Sequence, residues 1–362
     1  MFIQNKSRDM IERKLNYSGA VNEALHEAMR QDPSVICYGL GVDDPKGVFG
    51  TTLGLKEKFG PKRVFDMPTS ENAMTGIAIG AALNGIRPVM THQRLDFFLL
   101  AMDQLVNNAA KWRYMFGGKR SVPITIRLIL GRGWGQGPTH SQNLQAWFAH
   151  IPGLKVVMPT TAEDAKGLLL SSIFDPDPVV FLEHRWLHNL IGNVPQGDVR
   201  VPFGKSQLLS RGNAVTIVSF SYMTIEALHA LEVLKKSGID CDLIDLRTIC
   251  PLDWESIFIS VKKTGQLLVL DTANETCSVA GEIVARVSME LFGSLKTAPV
   301  RIALPDFPSP TSPALSKFFY QGAEDIIKAI ARMTGKNISI EDLKKQHTSP
   351  HDVPGDWFKG PF

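Results

Sequence analysis

Cysteine is scarce in this sequence: four occur in 362 residues, at Cys37, Cys241, Cys250 and Cys277, widely spaced and without a C-x-x-C pair. That excludes a disulfide framework and a zinc-binding spacing, and the four are expected to be reduced, mostly buried thiols. Long apolar runs are lacking as well, so no segment reaches the roughly 18 residues of a membrane span. Charge of one sign is missing too. Lys plus Arg number 39 against 36 for Asp plus Glu, a net charge of +3, and the basic residues form no stripe, which removes the electrostatic case for nucleic acid. The opening stretch MFIQNKSRDMIERKL has neither the apolar centre nor the small-residue cleavage site of a secretory signal, so the cytoplasm is the expected compartment. No repeat of fixed period is present.

Phosphate-loop motifs also fall short. The stretch GRGWGQGP (Gly131, Gly133, Gly135, Gly137) lacks the G-x-G-x-x-G spacing and runs into Pro138, so it reads as an active-site loop or a tight connection. In FGKS, the position that a P-loop requires as glycine is Val199, which rejects that motif.

What is present is a strand–helix alternation. Apolar runs such as PSVICYGL, RPVMTH, VPITIRLIL, LKVVMP and DPVVFL alternate with helical patterns, including SENAMTGIAIGAALNG and LLAMDQLVNNAAKWRYM. Several strands are apolar on successive residues, as parallel strands covered on both faces are. The pattern predicts two consecutive α/β domains with mostly parallel sheets: an extension over 1–16, a first domain over 17–190, a linker over 191–212, a second domain over 213–334 and an irregular tail over 335–362. At about 100–200 residues per domain, the length suits two domains.

Individual polar residues have plain readings. Glu71 follows Thr69 and Ser70, either of which can cap a helix, and a carboxylate in a first turn is favoured by the helix dipole. His184 and His188 are four apart, as a helical metal pair would be, but they follow an apolar strand with no third ligand near in sequence, so a structural or surface role is favoured. His140 and His150 bracket SQNLQAWFA, and GLGVDDPKGVFG reads as a surface loop.

Taken together and in order, these stretches resemble a known family. Residues 17–333, close to nine-tenths of the chain, are similar to the beta subunit of the thiamine-diphosphate-dependent first component of 2-oxo acid dehydrogenase complexes, in the transketolase group. The matching segments are KFGPKRVFDMPTSENAMTGIAIGAALNGIRPV, AMDQLVNNAAKWRYMFGG, THSQNLQAWFAHIPGLKVVMPTTAEDAKGLLLSSIFDPDPVVFLE and IDLRTICPLD. The resemblance implies that Glu71 hydrogen-bonds a ring nitrogen of the cofactor's aminopyrimidine and takes part in its proton transfers. It implies that Phe97 stacks on that ring, that Leu40 and Gln93 lie against the cofactor, and that His140 faces the substrate, where an imidazole can donate to a developing oxyanion or move a proton. It also implies a potassium site at Ile124, Ser172, Ile173, Asp175 and Asp177, whose carbonyls and carboxylates suit a hard cation. A strand-edge turn would use the same residues.

Departures from the family pattern are equally concrete. A glutamate commonly follows the glycine of the first strand, where this chain has Gly39–Leu40, with Asp43 or Asp44 as candidate replacements. The QFADY-like segment reads QRLDF, placing Arg94 by the site, either for an anionic substrate or as a partner for Asp96. The tail from about Gly335 has no counterpart. No GDG followed 25–30 residues later by Asn is present, so the magnesium-held diphosphate is expected on an alpha subunit. The expected enzyme is a heterotetramer of alpha subunits and two beta subunits that decarboxylates a small-molecule 2-oxo acid and passes the acyl fragment to a lipoyl acyltransferase. The alternatives are a split transketolase-like or acyloin-forming enzyme and a non-catalytic assembly subunit. The second domain is expected to build subunit contacts.

Overall fold

The computed structural model describes residues 13–132, 135–341 and 343. The predicted α/β architecture is present as two sheets of mostly parallel strands with helices packed on them. The first sheet has seven strands, in the order Thr248–Cys250, Lys155–Val157, Val179–His184, Thr125–Leu130, Arg87–His92, Val35–Gly39 and Val64–Asp66. All are parallel except the first, which runs antiparallel to Lys155–Val157. Every residue of Thr125–Leu130 is buried, because alternate side chains enter different cores: Ile126, Leu128 and Leu130 face one cluster and Ile129 the other.

One face of this sheet is covered by the helices Tyr17–Gln31 and Ala162–Phe174, which pack on each other. Each starts at a side-chain cap: Asn16 Oδ1 accepts from Gly19 N at 2.9 Å, and Thr161 Oγ1 from Asp164 N at 3.1 Å. The other face carries Glu71–Leu83 and the segment predicted as one helix over 99–115. That segment is helical but widens to π geometry over Gln104–Ala109, a local winding that helices often show beside functional sites.

The second sheet orders Val300–Leu304, Leu267–Asn274, Thr216–Ser219, Asp242–Asp245 and Gln207–Ser210, the last antiparallel. The stretch 191–212, expected as an irregular linker, carries two short strands. Ile191–Asn193 pairs with Lys14–Asn16, and Gln207–Ser210 forms the edge of the second sheet. The expected irregular tail begins with Ile338, Ile340 and Leu343 packed on the second core; residues 344–362 lie outside the described residues. The four cysteines are free: Cys37 and Cys241 are buried, Cys250 is half-buried and Cys277 is exposed. Burial pushes the thiol of Cys37 up to about 11 and that of Cys241 up to about 12, which keeps both as inert thiols. Among the described residues no helix is long and apolar enough to cross a membrane.

The two domains meet across a buried carboxylate. Asp245 is fully buried beside Asp164 of the first domain, and among the described residues its Oδ2 has no hydrogen-bond partner. Burial, then the Asp164 charge, pushes it up to about 7. An acid raised in this way holds its proton in the folded state and loses it in the unfolded state between about pH 4 and 7, so stability falls as pH rises through that window and is flat above it. Asp245→Asn is expected to abolish this slope. The variant should melt several degrees above the parent at pH 8, since a shift of this size corresponds to up to about 4 kcal/mol. A parallel pH dependence of Tm in parent and variant would refute the assignment.

Candidate active site

The carboxyl ends of the central parallel strands all open on one edge of the first sheet, where open α/β sheets place their ligands. Close backbone packing shapes this edge. A Cβ at Gly39 would lie 2.0 Å from Thr91 O, and one at Gly41, whose φ is +77°, would lie 2.1 Å from Gln93 Nε2. Gln93 therefore lies over the turn that follows Leu40, and Leu40 N donates to Thr91 O at 3.3 Å. Glu71 is the first residue of Glu71–Leu83, four residues after Met67, whose N–H donates to Gly39 O at 2.9 Å. Ser70 holds the N-cap position but its side chain makes no capping bond, so the expected cap is absent. Glu71 is only 4% exposed, and among the described residues nothing donates to its carboxylate.

Phe97 lies in the short helix Leu95–Phe98 and is 39% exposed. Its ring meets His140 edge-on, with centroids 5.3 Å apart and planes at 89°. The glycine loop before His140 turns through positive φ at Gly131, Gly135 and Gly137; Gly133 lies outside the described residues. The His140 segment is held at three points. Thr139 Oγ1 is 3.0 Å from His140 Nδ1, Arg185 Nη2 donates to His140 O at 2.9 Å, and Gln142 Nε2 donates to Asp96 Oδ1 at 2.8 Å. A fourth hold comes from the second domain: Gln145 Nε2 donates to Asp271 Oδ1 at 2.7 Å and to Thr272 Oγ1 at 3.1 Å. Asp271 also accepts from Ala273 N and Ala280 N, and burial raises its carboxyl from the ordinary range. A second domain read only for subunit contacts thus also braces the histidine loop.

The structure separates other candidates. Asp43 pairs with Lys56 of the helix Leu55–Phe59, while Asp44 accepts from Lys46 N at 2.7 Å within its own loop, so both are engaged. His184 stacks on Tyr222 with centroids 5.1 Å apart and His188 on Tyr17 at 5.7 Å; among the described residues no cluster of three or more His, Cys, Asp or Glu side chains could hold a metal. Sequence reasoning missed Arg185, because EHRWLH draws attention to its histidines while the arginine between them carries the contact to His140.

The candidate potassium ligands gather at one turn, and their oxygens already have donors. Ile124 O accepts from Val179 N at 3.0 Å and Ser172 O from Asp175 N at 3.3 Å. Arg87 Nη1 donates to Ile173 O at 3.1 Å and to Asp175 O at 3.2 Å. Lys155 Nζ is 2.6 Å from Asp175 Oδ1 and 3.4 Å from Asp177 Oδ2, and Arg113 pairs with Asp177.

Comparison with known proteins agrees with this architecture. Residues 13–189 match the pyrimidine-binding domain of transketolase and residues 204–326 its C-terminal domain. The beta subunit of acetoin:2,6-dichlorophenolindophenol oxidoreductase from Cupriavidus necator is 44% identical over 334 residues, spanning 90% of this chain and 98% of that one. The beta subunit of the pyruvate dehydrogenase E1 component from Rickettsia felis is 41% identical over 315 residues, 87% of this chain and 96% of that one. In fold, the chain is similar to a split-gene transketolase in an inactive beta4 tetramer, with a TM-score of 0.71 over 87% of this chain and 97% of that one, at 22% identity. The chain belongs to the thiamine-diphosphate-dependent family of transketolase-like beta subunits that includes those of the 2-oxo acid dehydrogenases.

Proposed function

We propose that this chain supplies the aminopyrimidine half of a thiamine diphosphate site and, with an alpha subunit, decarboxylates a 2-oxo acid and passes the acyl fragment to a lipoyl acceptor. The observation that carries this reading is the buried Glu71 carboxylate without a protein donor, on the sheet edge that also bears the Phe97–His140 pair. Its oxygens are not among the fully buried unpartnered atoms, so the carboxylate opens onto the site free of protein donors, as an acceptor for a cofactor ring nitrogen must.

In this reading thiamine diphosphate supplies a carbon nucleophile and electron sink when bound. Glu71 accepts a hydrogen bond from the ring, Phe97 offers it an aromatic face, and Leu40 and Gln93 line its approach. His140, with its backbone fixed by Arg185, presents an imidazole that can hold or move a proton at the substrate oxygen. Magnesium and the diphosphate fall to the alpha subunit, because this chain lacks the GDG and asparagine motif. Exposed apolar side chains including Ile77, Leu100, Tyr114, Trp147, Met289 and Phe292 support burial against an alpha subunit and a second beta subunit. The domain limits of 17–190 and 213–334 are part of the same proposal.

Potassium fits less well. The charge that such an ion would bring to Asp175 and Asp177 is already supplied by Lys155 and Arg113, Arg87 occupies the carbonyls of Ile173 and Asp175, and no step is routed through the ion. Replacing potassium with sodium at constant ionic strength is expected to leave Tm unchanged within about 1 °C, whereas Lys155→Met should lower it. A potassium-specific rise of several degrees would restore the ion to the site.

A second reading is acyloin cleavage or formation, which the acetoin-named relative favours. The test is to reconstitute the chain with its alpha subunit and follow consumption of 2-oxo acids with a lipoyl domain, of acetoin, and of a 2-oxo acid with a sugar aldehyde. Turnover with the lipoyl domain supports the leading reading. Turnover confined to acetoin or to the aldehyde transfers the assignment to the second, and an active monomer without an alpha subunit would sink the split site.

A further inference from the structure

Arg94 is 9% exposed, yet among the described residues it forms no ion pair. Its one hydrogen bond among the described residues is a long one, from Nη1 to the carbonyl of its own neighbour Gln93 at 3.4 Å. A guanidinium carries five donors, and because none of the Arg94 nitrogens is among the fully buried atoms without a partner, its free donors face open space at the edge of the site. Arg185 is fully buried nearby; it donates to Gln136 Oε1 and to His140 O, and its Nε has no partner. Burial, then the charge of Arg94, brings the Arg185 guanidinium down to about 9, and burial also lowers Arg94. The two cations therefore feel each other. The acid that acts on both is Asp96, which is within ion-pair distance of neither. Its Oδ1 is taken by Gln142 N and Nε2, and its Oδ2 is buried without a partner.

The balance is two positive charges against one negative, with Arg185 bonded to His140 on one side and Arg94 one helical turn before Phe97 on the other. A protein gains nothing in stability from an unpaired buried arginine. A planar fork of donors left free beside a reaction centre is suited to bidentate capture of a carboxylate or phosphate. We infer that Arg94, backed by Arg185, forms a subsite for a second anionic group on the substrate, a carboxylate or phosphate-type terminus several bonds from the reacting carbonyl. The inference rests on Phe97 and His140 marking the reaction centre as proposed above. It narrows the substrate class from simple alkyl 2-oxo acids to those with a charged far end.

The experiment uses the complex reconstituted with its alpha subunit and three 2-oxo acids of matched length, ending in methyl, carboxylate or phosphonate. For the parent, kcat/KM is expected to be at least thirtyfold higher for one anionic terminus than for methyl, and which anion wins separates the carboxylate from the phosphate source. Arg94→Met should collapse that preference to threefold or less, chiefly through KM, and Arg94→Lys should retain part of it. Glutarate, as a probe without a reacting carbonyl, should raise the Tm of the parent complex and not that of Arg94→Met. Equal turnover of all three substrates by the parent, or a preference unchanged in Arg94→Met, would overturn the inference. A parent complex inert toward every 2-oxo acid that still shows the Arg94-dependent glutarate shift would support the subsite while refuting the reaction assigned to it. Should Arg94→Met fail to fold, Arg94→Lys carries the same comparison: an undiminished preference there together with no glutarate shift in the parent refutes the subsite.

Discussion

Glu71→Gln is expected to lower kcat of the reconstituted complex by about 100- to 10,000-fold, the range over which a positioned proton-transfer group contributes. The change keeps the size and burial of the side chain, so Tm should move little. Its amide cannot serve as the charged acceptor that the buried carboxylate provides, and no neighbouring donor is left unsatisfied to blur the result, because none of the described residues bonds the carboxylate. The position is also favourable for a negative charge: Glu71 opens a 13-residue helix, whose amino-terminal dipole stabilises an anion. Thiamine diphosphate titrated into the complex and read by tryptophan fluorescence separates binding from turnover. Normal kcat in the variant would remove Glu71 from the mechanism.

Glu183→Gln is expected to be the most damaging single change to the first domain, destabilising it by about 3–5 kcal/mol, the cost of leaving one member of a buried ion pair alone. Arg127 and Glu183 are both fully buried. Nε meets Oε1 at 2.7 Å and Nη2 meets Oε2 at 3.0 Å, while Arg127 Nη1 reaches Thr91 Oγ1 at 3.3 Å and His188 Nε2 lies 3.4 Å from Glu183 Oε2. Removing both charges as Arg127→Met with Glu183→Leu should recover most of the loss, since a packed apolar pair can match a buried ionic one. The pH response comes from the same contact. Burial alone would raise the Glu183 carboxyl, but the Arg127 charge and the hydrogen bonds more than offset it, and the net shift is downward. A depressed acid contributes stability above its ordinary value, and the contribution is lost as pH falls through the folded value. Acid unfolding monitored by circular dichroism should therefore begin at higher pH in parent than the bare carboxylate count suggests, and Glu183→Gln should flatten that limb. A Glu183→Gln variant as stable as the parent at pH 7 would show that the pair is not structural. Because Glu183 stands two residues before Arg185, loosening it should also slacken the contact to His140 and lower kcat.

Much of the first domain was legible in its pattern. The end of TIRLIL is apolar on three successive residues because both faces of the strand are covered, whereas the caps Asn16 and Thr161 were found only in the structure. The turn after Leu40 needs glycine at Gly41, where Gln93 packs over it, a demand visible only once the two strand ends lie side by side. The edge strand Thr248–Cys250 was not legible. Its few residues carry no periodicity, and joining the first sheet rather than the second is settled by contact with Lys155–Val157, some 90 positions away in the chain.

The same division runs through the site. The resemblance carried by PTSEN, QRLDF and THSQ is what singled out Glu71, Phe97 and His140; read alone, Glu71 is a first-turn carboxylate and His140 a loop histidine. Which groups hold them was decided by tertiary structure alone. Gln145 meets Asp271 from the other domain, Arg185 fixes the backbone of His140 across 45 positions, and Arg94 is buried among groups that leave it unpaired. Periodicity reports that a face is covered, whereas the partner of a buried charge depends on the packing of distant segments, and that packing separates a braced histidine and an unspent arginine from two ordinary polar residues.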